Sequence, residues 1–127
     1  MAEKTRVLVV DDDISFAESL TDILMAKGYD AVAVNSGEEA LEKIKERSFD
    51  VVLMDIKMPV MDGIQTFKEI KKLASSTTVI MMTAYSMDDL IHDALKEGAY
   101  ACIYKPFDPK KIVEMVEEIV KKKKKEV

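Results

Sequence analysis

Five short apolar runs alternate with five amphipathic segments along the chain. An apolar run of about four to six residues has the length of a buried strand, and apolar residues spaced about three and four apart are typical of a helix. Strands that alternate with helices form a mostly parallel sheet with helices on both faces. The pattern therefore predicts an α/β fold with strands at 6–10, 30–34, 51–54, 78–82 and 100–104.

Capping residues, glycines and a proline mark the ends of the predicted helices. Ser36 is followed three residues later by Glu39, which is the spacing of a capping box, and Asp108 precedes Pro109, a favourable first-turn residue. The other helices are predicted to begin near Asp13 or Ser15, after Gly63 and at Ser86, and to end in two cases at Gly28 and Gly98. The predicted buried positions are Ala17, Leu20 and Leu24; Ala40, Leu41 and Ile44; Ile64, Phe67 and Ile70; Leu90, Ile91, Ala94 and Leu95; and Ile112, Val116 and Ile119.

The composition fits a single folded domain and excludes several classes of protein. With 127 residues, of which 48% are hydrophobic and 34% charged, the chain is neither disordered nor a membrane protein. No apolar run approaches the roughly 20 residues of a membrane helix, and the first residues lack a signal-peptide pattern, so we expect a cytoplasmic protein. A single Cys102 and a single His92 exclude an internal disulfide and a cysteine-rich or histidine-rich metal site. The net charge of −5 disfavours broad nucleic-acid binding, although lysines 121–125 form a local basic end.

Right-handed crossovers between parallel strands allow few arrangements, and the doubly wound, flavodoxin-like (βα)5 order 2-1-3-4-5 fits this chain. In that order the first and third strands are central neighbours, and ligands bind beyond the carboxyl ends of the strands where the winding reverses. Asp11 and Asp12 follow the first run, and Asp55 follows the third. Thr83 follows the fourth run and Lys105 the fifth. We therefore expect all of these side chains at one edge of the sheet.

At least three carboxylates at one edge of a sheet form a site for a divalent cation and a phosphoryl group. Like charges about 4 Å apart repel by roughly 4 kcal/mol at an effective dielectric constant of about 20, and Mg²⁺, which prefers oxygen ligands, offsets that repulsion. A carboxylate such as Asp55 can attack phosphorus to form an aspartyl phosphate, while Lys105 and the Thr83 hydroxyl can contact phosphoryl oxygens. An aspartate after a strand is also often a helix cap, and we favour that role for Asp13.

Four motifs stand at these positions: Val-Leu-Val-Val-Asp-Asp-Asp at 7–13, Leu-Met-Asp-Ile-Lys-Met-Pro-Val-Met-Asp-Gly at 53–63, Met-Thr-Ala at 82–84 and Tyr-Lys-Pro-Phe at 104–107. Through them the chain resembles, over nearly its whole length, the receiver domains of bacterial two-component response regulators, of the single-domain chemotaxis and sporulation type. Together these motifs are highly specific. The resemblance implies a receiver domain over residues 1–122, followed by a lysine-rich tail at 123–127.

The resemblance also implies which residues carry the chemistry. Asp55 would accept a phosphoryl group from a phosphohistidine or a small phosphodonor. A Mg²⁺ ion, or Mn²⁺ in its place, would be bound by Asp12, Asp55 and the backbone carbonyl of Lys57, with Asp11 acting mainly through water. The phosphoryl oxygens would be held by Thr83 and Lys105, and the peptide bond between Lys105 and Pro106 is expected to be cis.

A receiver of this kind is a switch, not an enzyme that turns over a diffusible substrate, because it catalyses only its own phosphorylation and dephosphorylation. The implied partners are a sensor histidine kinase or a histidine phosphotransfer protein, and a downstream effector protein. We expect a stand-alone receiver, monomeric or dimeric on phosphorylation, with no membrane contact and no direct nucleic-acid binding.

One departure from the family pattern affects switching, and two further positions affect the lifetime of the phosphoryl group. Receivers usually carry an aromatic residue three positions before the lysine, where this chain has Cys102, and strand alternation is expected to place Tyr100, Cys102 and Tyr104 on one face. Tyr104 is then a candidate for part of the readout. The positions two residues after Asp55 and Thr83 are Lys57 and Tyr85. Neither offers a carboxylate or amide to orient water, which predicts a long-lived acyl phosphate.

Two other functions stay open at this point. The first is a haloacid-dehalogenase-like phosphohydrolase, because Asp11 and Asp13 form the Asp-x-Asp signature of that family. This chain lacks the threonine that usually follows, is short for that fold, and would leave Asp55 without a role. The second is a degenerate receiver that acts as a phosphorylation-independent adaptor, which the full set of acidic, threonine and lysine residues disfavours.

Overall fold

The computed structural model of the chain describes residues 4–58, 60–84 and 88–125, with the backbone alone at 88–90, 124 and 125. Strands and helices alternate through these residues, as the apolar pattern predicted. The elements are β1 (Arg6–Val10), α1 (Ile14–Ala26), β2 (Asp30–Val34), α2 (Gly37–Glu46), β3 (Val51–Asp55), α3 (Gly63–Leu73), β4 (Thr78–Thr83), α4 (Asp88–Lys96), β5 (Ala101–Tyr104) and α5 (Pro109–Lys125).

The strands form one parallel sheet in the order β2-β1-β3-β4-β5, which confirms the predicted doubly wound α/β fold. β1 and β3 are central neighbours, with Val10 opposite Met54. Asp55, the last residue of β3, lies opposite Met82 of β4. The segments that follow Val10 and Asp55 therefore leave the sheet at the same edge.

Apolar side chains on the two faces of the sheet form two separate clusters. One cluster joins the sheet to α2, α3 and α4 through residues such as Ile44, Phe67 and Ile91. The other joins it to α1 and α5 through residues such as Leu20 and Val116. Because helices cover both faces, the central strands are buried on both sides, which explains why they read as continuous apolar runs. β3 is buried at every position.

Side-chain caps begin the first three helices. The carboxylate of Asp13 accepts the backbone N–H of Phe16 at 3.1 Å, and Ser36 accepts the N–H of the third residue after it at 3.1 Å, as predicted for both. The cap of α3 was not predicted. Asp62 accepts the N–H of Gln65 at 2.9 Å, and the Gln65 side chain accepts the N–H of Asp62 at 3.2 Å, which completes a capping box.

Gly63 allows α3 to begin close to the end of β3. A Cβ atom at this position would collide with the backbone carbonyl oxygen of Asp55, so a side chain here would push the helix away. The N–H of Gly63 donates to the carbonyl of Ile56 at 2.8 Å. The segment after Asp55 is thus held against the first turn of α3.

Some boundaries and burial states differ from those predicted. β3 and β4 each extend one residue further than expected, to Asp55 and Thr83, and β5 begins at Ala101 rather than at residue 100. Leu95 was predicted to be buried but is 44% exposed, because it lies at the edge of the buried stripe of α4. The predicted start of α4 at Ser86 lies outside the described residues. The side chain of Leu90, which was predicted to be buried, is also outside the described part of the structure.

No helix in the described part of the chain combines the length and the apolar character that a bilayer crossing needs.

Candidate functional site

Three carboxylates meet at the carboxyl edge of the sheet, those of Asp11 and Asp12 after β1 and of Asp55 at the end of β3. One oxygen atom from each lies within 4.8 Å of the other two. Asp11 and Asp55 are buried, whereas Asp12 is exposed. The fold therefore brings together the acidic residues that were expected to share this edge, and leaves one of them open to solvent.

Hydrogen bonds to the end of β2, to the residue after it and to Asp13 fix Asp11. Its N–H donates to the carbonyl of Val34 at 3.2 Å, and its carbonyl accepts the side-chain amide of Asn35 at 3.0 Å. Its carboxylate accepts the N–H of Asp13 at 2.9 Å. These bonds tie the end of β1 to the end of β2 and leave the second carboxylate oxygen of Asp11 to face the cluster.

Asp55 occupies the last position of the central strand β3. The next residue, Ile56, donates its N–H to the carbonyl of Met82 at 2.9 Å, which keeps the chain beside β4 for one more position. The backbone N–H of Lys57 donates a hydrogen bond to the Asp55 carboxylate, and the Lys57 side chain is exposed. The backbone of Lys57 therefore lies beside the Asp55 carboxylate and its side chain is exposed, whereas its expected role as a carbonyl ligand stays a prediction.

Lys105 follows β5 and reaches across the edge of the sheet to both buried carboxylates. Its Nζ atom lies 2.5 Å from Oδ2 of Asp11 and 3.8 Å from Oδ2 of Asp55. The N–H of Lys105 donates to the carbonyl of Thr83 at 2.7 Å, and the peptide bond to Pro106 is cis, as expected. One ammonium group thus compensates part of the charge of two carboxylates.

Thr83 is the last residue of β4 and is 1% exposed. The residue before it, Met82, is opposite Asp55 in the sheet. The Thr83 hydroxyl is therefore carried by the strand adjacent to Asp55, one position further toward the edge. With Lys105 bonded to its carbonyl, Thr83 joins the ends of β4 and β5 beside the acidic cluster.

The pKa of Asp55 is raised to about 7, mainly because burial disfavours the charged carboxylate. The negative charges of Asp11 and Asp12 add to this rise, whereas Lys105 and the backbone hydrogen bond from Lys57 oppose it. A carboxyl group with this pKa is protonated in about half of the molecules at neutral pH when no cation is bound. A cation that binds Asp55 must displace this proton.

The donor set fits a hard divalent cation. The three clustered side chains offer carboxylate oxygens, the ligands that Mg²⁺ prefers, and the exposed Asp12 gives the ion a path from solvent. Asp11 and Asp55 with Lys105 between them leave a net negative charge at the edge. A dication would neutralise that charge, so the residues fit Mg²⁺ or Mn²⁺.

Asp13 does not belong to the cluster. Its carboxylate caps α1, and its backbone N–H donates to Asp11. This arrangement agrees with the capping role favoured from the sequence. It also weakens the hydrolase alternative, which needs the carboxylates of Asp11 and Asp13 to act on the same substrate.

The expected common face of three β5 side chains is wrong for Tyr100. Cys102 packs against the cluster of α2, α3 and α4, whereas Tyr100 packs against the cluster of α1 and α5. The reason is that Tyr100 precedes β5, so strand alternation does not apply to it, and its hydroxyl accepts a hydrogen bond from Lys122 at 3.3 Å. Tyr104 is 48% exposed. It therefore remains available as a readout residue, as hypothesised.

Phe16 is a residue of this edge that the motifs did not single out. The Nζ atom of Lys105 lies 4.3 Å from the centre of its ring, and the ring of Phe107 packs against it edge to face at 5.8 Å. The available signal was weak, because an apolar residue in the first turn of an amphipathic helix is usually interpreted as part of the core. The contact between Phe16 and Lys105 is recognised only in the folded structure, where the ammonium lies over the ring.

Comparisons with known proteins agree with this geometry. The family model of the response regulator receiver domain matches residues 7–117. The transcriptional regulatory protein ZraR of Klebsiella oxytoca is 49% identical over 106 residues, which cover 84% of this chain and 24% of ZraR. The chemotaxis protein CheY of Bacillus subtilis is 40% identical over 112 residues, which cover 87% of this chain and 93% of CheY.

A solved structure has the same fold over nearly all of the chain. The crystal structure of a CheY-like response regulator receiver domain protein from Methanospirillum hungatei JF-1 superposes with a TM-score of 0.94 at 33% identity, covering 98% of this chain and 100% of that one. This chain spans about a quarter of the length of the ZraR relatives and nearly all of CheY.

Proposed function

The chain belongs to the family of response regulator receiver domains, and we propose that it is a signalling switch whose Asp55 accepts a phosphoryl group from a histidine kinase or a histidine phosphotransfer protein. One observation carries this proposal. Asp55 lies in a cluster with Asp11 and Asp12, and the ammonium of Lys105 is 3.8 Å from its carboxylate. The carboxylate that would act as nucleophile, the carboxylates that would bind a cation and one ammonium group thus lie at the same edge of the sheet.

The proposed step is a direct transfer to a carboxylate. An oxygen of Asp55 attacks phosphorus and forms an O–P bond while the P–N bond of the phosphohistidine breaks. The electron pair of the broken bond stays on the histidine nitrogen, and the phosphoryl group remains on Asp55 as an acyl phosphate. Asp55 must be deprotonated to attack, so at neutral pH its raised pKa leaves about half of the molecules ready to react without a cation, and a bound cation would increase that fraction.

The other residues hold the reacting groups. Asp12, Asp55 and the backbone carbonyl of Lys57 would hold Mg²⁺ or Mn²⁺, with Asp11 acting mainly through water. The bound ion would neutralise charge on the transferring phosphoryl oxygens. Thr83 would donate its hydroxyl to one phosphoryl oxygen, and Lys105 would turn its ammonium from Asp11 toward another.

The receiver would act as a switch or a phosphorelay intermediate and not as an enzyme with a diffusible substrate. We propose that it works as a stand-alone protein, monomeric or dimeric on phosphorylation; the match to the chemotaxis protein CheY of Bacillus subtilis, which covers 93% of that relative, supports the stand-alone part. Its effector would be a protein. The proposal of no direct contact with nucleic acid concerns these 127 residues, whose net charge is −5. The division into a domain at 1–122 and a tail at 123–127 also remains a proposal.

The test is phosphorylation by acetyl phosphate in the presence of Mg²⁺, followed by intact mass spectrometry. We expect a gain of one phosphoryl group by the parent chain, no gain in EDTA, and no gain by Asp55→Asn. The matched control is Asp13→Asn, because asparagine also caps a helix and removes one carboxylate beside the site. This control should be phosphorylated like the parent.

The alternatives give different results. A hydrolase would release inorganic phosphate repeatedly and would lose activity in Asp13→Asn. An adaptor would take up no phosphoryl group although it folds and binds its partner. Either result would contradict the proposed function.

A further inference from the structure

Phe16 lies directly against the ammonium group of Lys105. The Nζ atom is 4.3 Å from the centre of the Phe16 ring, well within the roughly 6 Å over which an ammonium is attracted to an aromatic face. The Lys105 side chain is 18% exposed, so this contact is largely shielded from water. An attraction of this kind is stronger when the cation is desolvated.

The acidic segment itself fixes the backbone that carries this ring. Asp11 accepts the N–H of Asp13 at 2.9 Å, and Asp13 accepts the N–H of Phe16 at 3.1 Å. The loop that supplies the acidic cluster therefore also sets the first turn of α1. A change in the path of this loop would move the Phe16 ring and the carboxylate of Asp11 together.

A second ring braces the first from the opposite loop. Phe107 follows Lys105 by two residues, and its ring meets that of Phe16 at an angle of 80° with centres 5.8 Å apart. Edge-to-face packing of this kind is favourable and directional. The loop after β1 and the loop after β5 are thus joined by an aromatic pair beside the ammonium.

The chemistry of an aromatic face suits a lysine that must change partners. A lysine side chain is long and flexible, and its ammonium has three donors. The ring attracts the positive charge without accepting a conventional hydrogen bond, so these donors remain directed at Asp11 and Asp55, 2.5 and 3.8 Å away. An aliphatic side chain would fill the same space but would not attract the charge.

We propose that Phe16 is a positioning residue, whose ring face holds the Lys105 ammonium at the edge of the sheet, in position to contact the phosphoryl group that Asp55 accepts. This inference rests on the proposed phosphotransfer to Asp55 and names a residue that sets its rate. The competing explanation is that Phe16 only packs against the cluster of α1 and α5, which it also contacts. In that case any apolar side chain of similar volume would serve.

A fluorination series separates the two explanations. Fluorine withdraws electron density from the ring face and weakens its attraction for a cation, while the ring keeps nearly the same shape. Phe16 is replaced by 4-fluoro-, 3,5-difluoro- and 3,4,5-trifluorophenylalanine, and the phosphorylation rate is measured with saturating Mg²⁺ and a fixed concentration of acetyl phosphate. We expect a stepwise fall of the rate along the series. Phe16→Leu should lower the phosphorylation rate by about three- to thirtyfold. Phe16→Tyr, which keeps the ring, should have a rate within about threefold of that of the parent.

Three controls accompany the series. The same fluorinated residues at Phe49, which is buried in the other cluster, should leave the rate unchanged. The dissociation constant for Mg²⁺ should change by less than about twofold in Phe16→Leu, because neither side chain carries a charge or a ligand atom for the ion. On a Lys105→Met background, Phe16→Leu should no longer change the slow residual rate.

The outcomes distinguish this inference from the proposed function. A parent chain that takes up no phosphoryl group would overturn both. A phosphorylated parent whose rate is the same throughout the Phe16 series would overturn only the role of Phe16. The role of Phe16 would also be overturned if Phe16→Leu slowed phosphorylation equally with and without the Lys105 ammonium, because the ring would then act through packing.

Discussion

Lys105 and Asp11 form an ion pair at the edge of the sheet, with Nζ 2.5 Å from Oδ2 and side chains that are 18% and 0% exposed. The same ammonium is 3.8 Å from Asp55, so in this state it serves mainly as the counter-ion of Asp11. A phosphoryl group on Asp55 would give the ammonium a second anionic partner. A dication at the cluster would take over the compensation of Asp11 and free Lys105 to turn.

Replacement of Lys105 by methionine should destabilise the protein without a cation and strengthen cation binding. The change leaves Asp11 buried beside Asp55 with no ammonium, which should lower the free energy of unfolding in EDTA by about 2 kcal/mol at pH 8. The Mg²⁺ dissociation constant should fall by about tenfold, because a positive charge no longer competes for the same oxygens. Urea unfolding and calorimetric titration measure the two effects.

Lys68→Met is the matched control, since Lys68 is exposed on α3. It should change neither quantity. Weaker Mg²⁺ binding in Lys105→Met would show that the ammonium organises the carboxylates for the ion and does not compete with it.

The pKa of Asp55, raised to about 7, predicts a pH-dependent stability without Mg²⁺. Between the unfolded value of about 4 and the folded value, the native state holds a proton that the unfolded state has lost, so stability decreases as pH rises. The slope from this group is at most about 1.4 kcal/mol per pH unit, and it fades as pH rises through 7. Asp55→Asn removes the titrating group. The stability of this variant minus that of the parent, measured by urea unfolding in EDTA, should therefore widen from about pH 4 to about pH 7 and then stay constant.

Most of the fold was predictable, because simple rules determine the order of the strands and the edge of the sheet at which the acidic residues lie. Apolar runs gave the strands, right-handed crossovers limited their order, and the order put Asp11, Asp12 and Asp55 at one edge. Strand register did not have to be known, since the carboxyl ends of parallel strands always meet. The same rules do not reach contacts between helices and loops, and they missed the ring of Phe16 beside Lys105.

Val60 has a backbone conformation that strains a β-branched residue. Its φ angle is 67°, in the left-handed region, and its side chain is 93% exposed, so packing does not compensate for the strain. Val60→Asn should raise the free energy of unfolding by about 0.5 to 1 kcal/mol. Gly28 offers the opposite test, with φ 96° and no atom within 4 Å of a Cβ built there. Gly28→Ala should lower stability by about 1 kcal/mol through the backbone alone. Equal stabilities of Val60→Asn and the parent in urea would contradict the assignment of strain.

Lys123 ties the end of α5 to the opposite edge of the sheet. Its Nζ atom donates to the carbonyl of Asp50 at 2.8 Å and to the carbonyl of Ser76 at 3.1 Å. Lys123→Met should therefore lower the free energy of unfolding by about 1 kcal/mol, whereas Lys121→Met, which changes an exposed lysine, should have an effect below about 0.5 kcal/mol. Chains that end at residue 122 and at residue 124 make the same comparison. If both chains are as stable as the parent, residues 123–127 are a tail in energetic terms as well.

The hydrogen bonds of Lys123 could not be predicted from composition. A run of lysines at the end of a helix is explained well enough by the helix dipole, and the sequence contains no signal that distinguishes Lys123 from its neighbours. The distinction arises because α5 continues to Lys125 and passes over the amino-terminal ends of β3 and β4. The raised pKa of Asp55 is a similar case, since it depends on the depth of burial and on distances between carboxylates that only the folded chain sets.

The phosphoryl group on Asp55 should be long-lived, because the exposed Lys57 side chain beside it offers no carboxylate or amide to orient an attacking water. Tyr85, the other residue considered for this role, lies outside the described residues. Lys57→Asn supplies an amide at the same position and keeps the backbone that is proposed to hold the cation, so it should shorten the half-life several-fold. Lys68→Asn, an exposed lysine on α3, is the matched control and should leave the half-life unchanged. The half-life is followed by intact mass after removal of acetyl phosphate in Mg²⁺. A half-life of seconds in the parent would contradict the prediction, and would show that water reaches the acyl phosphate without help from the residue at position 57.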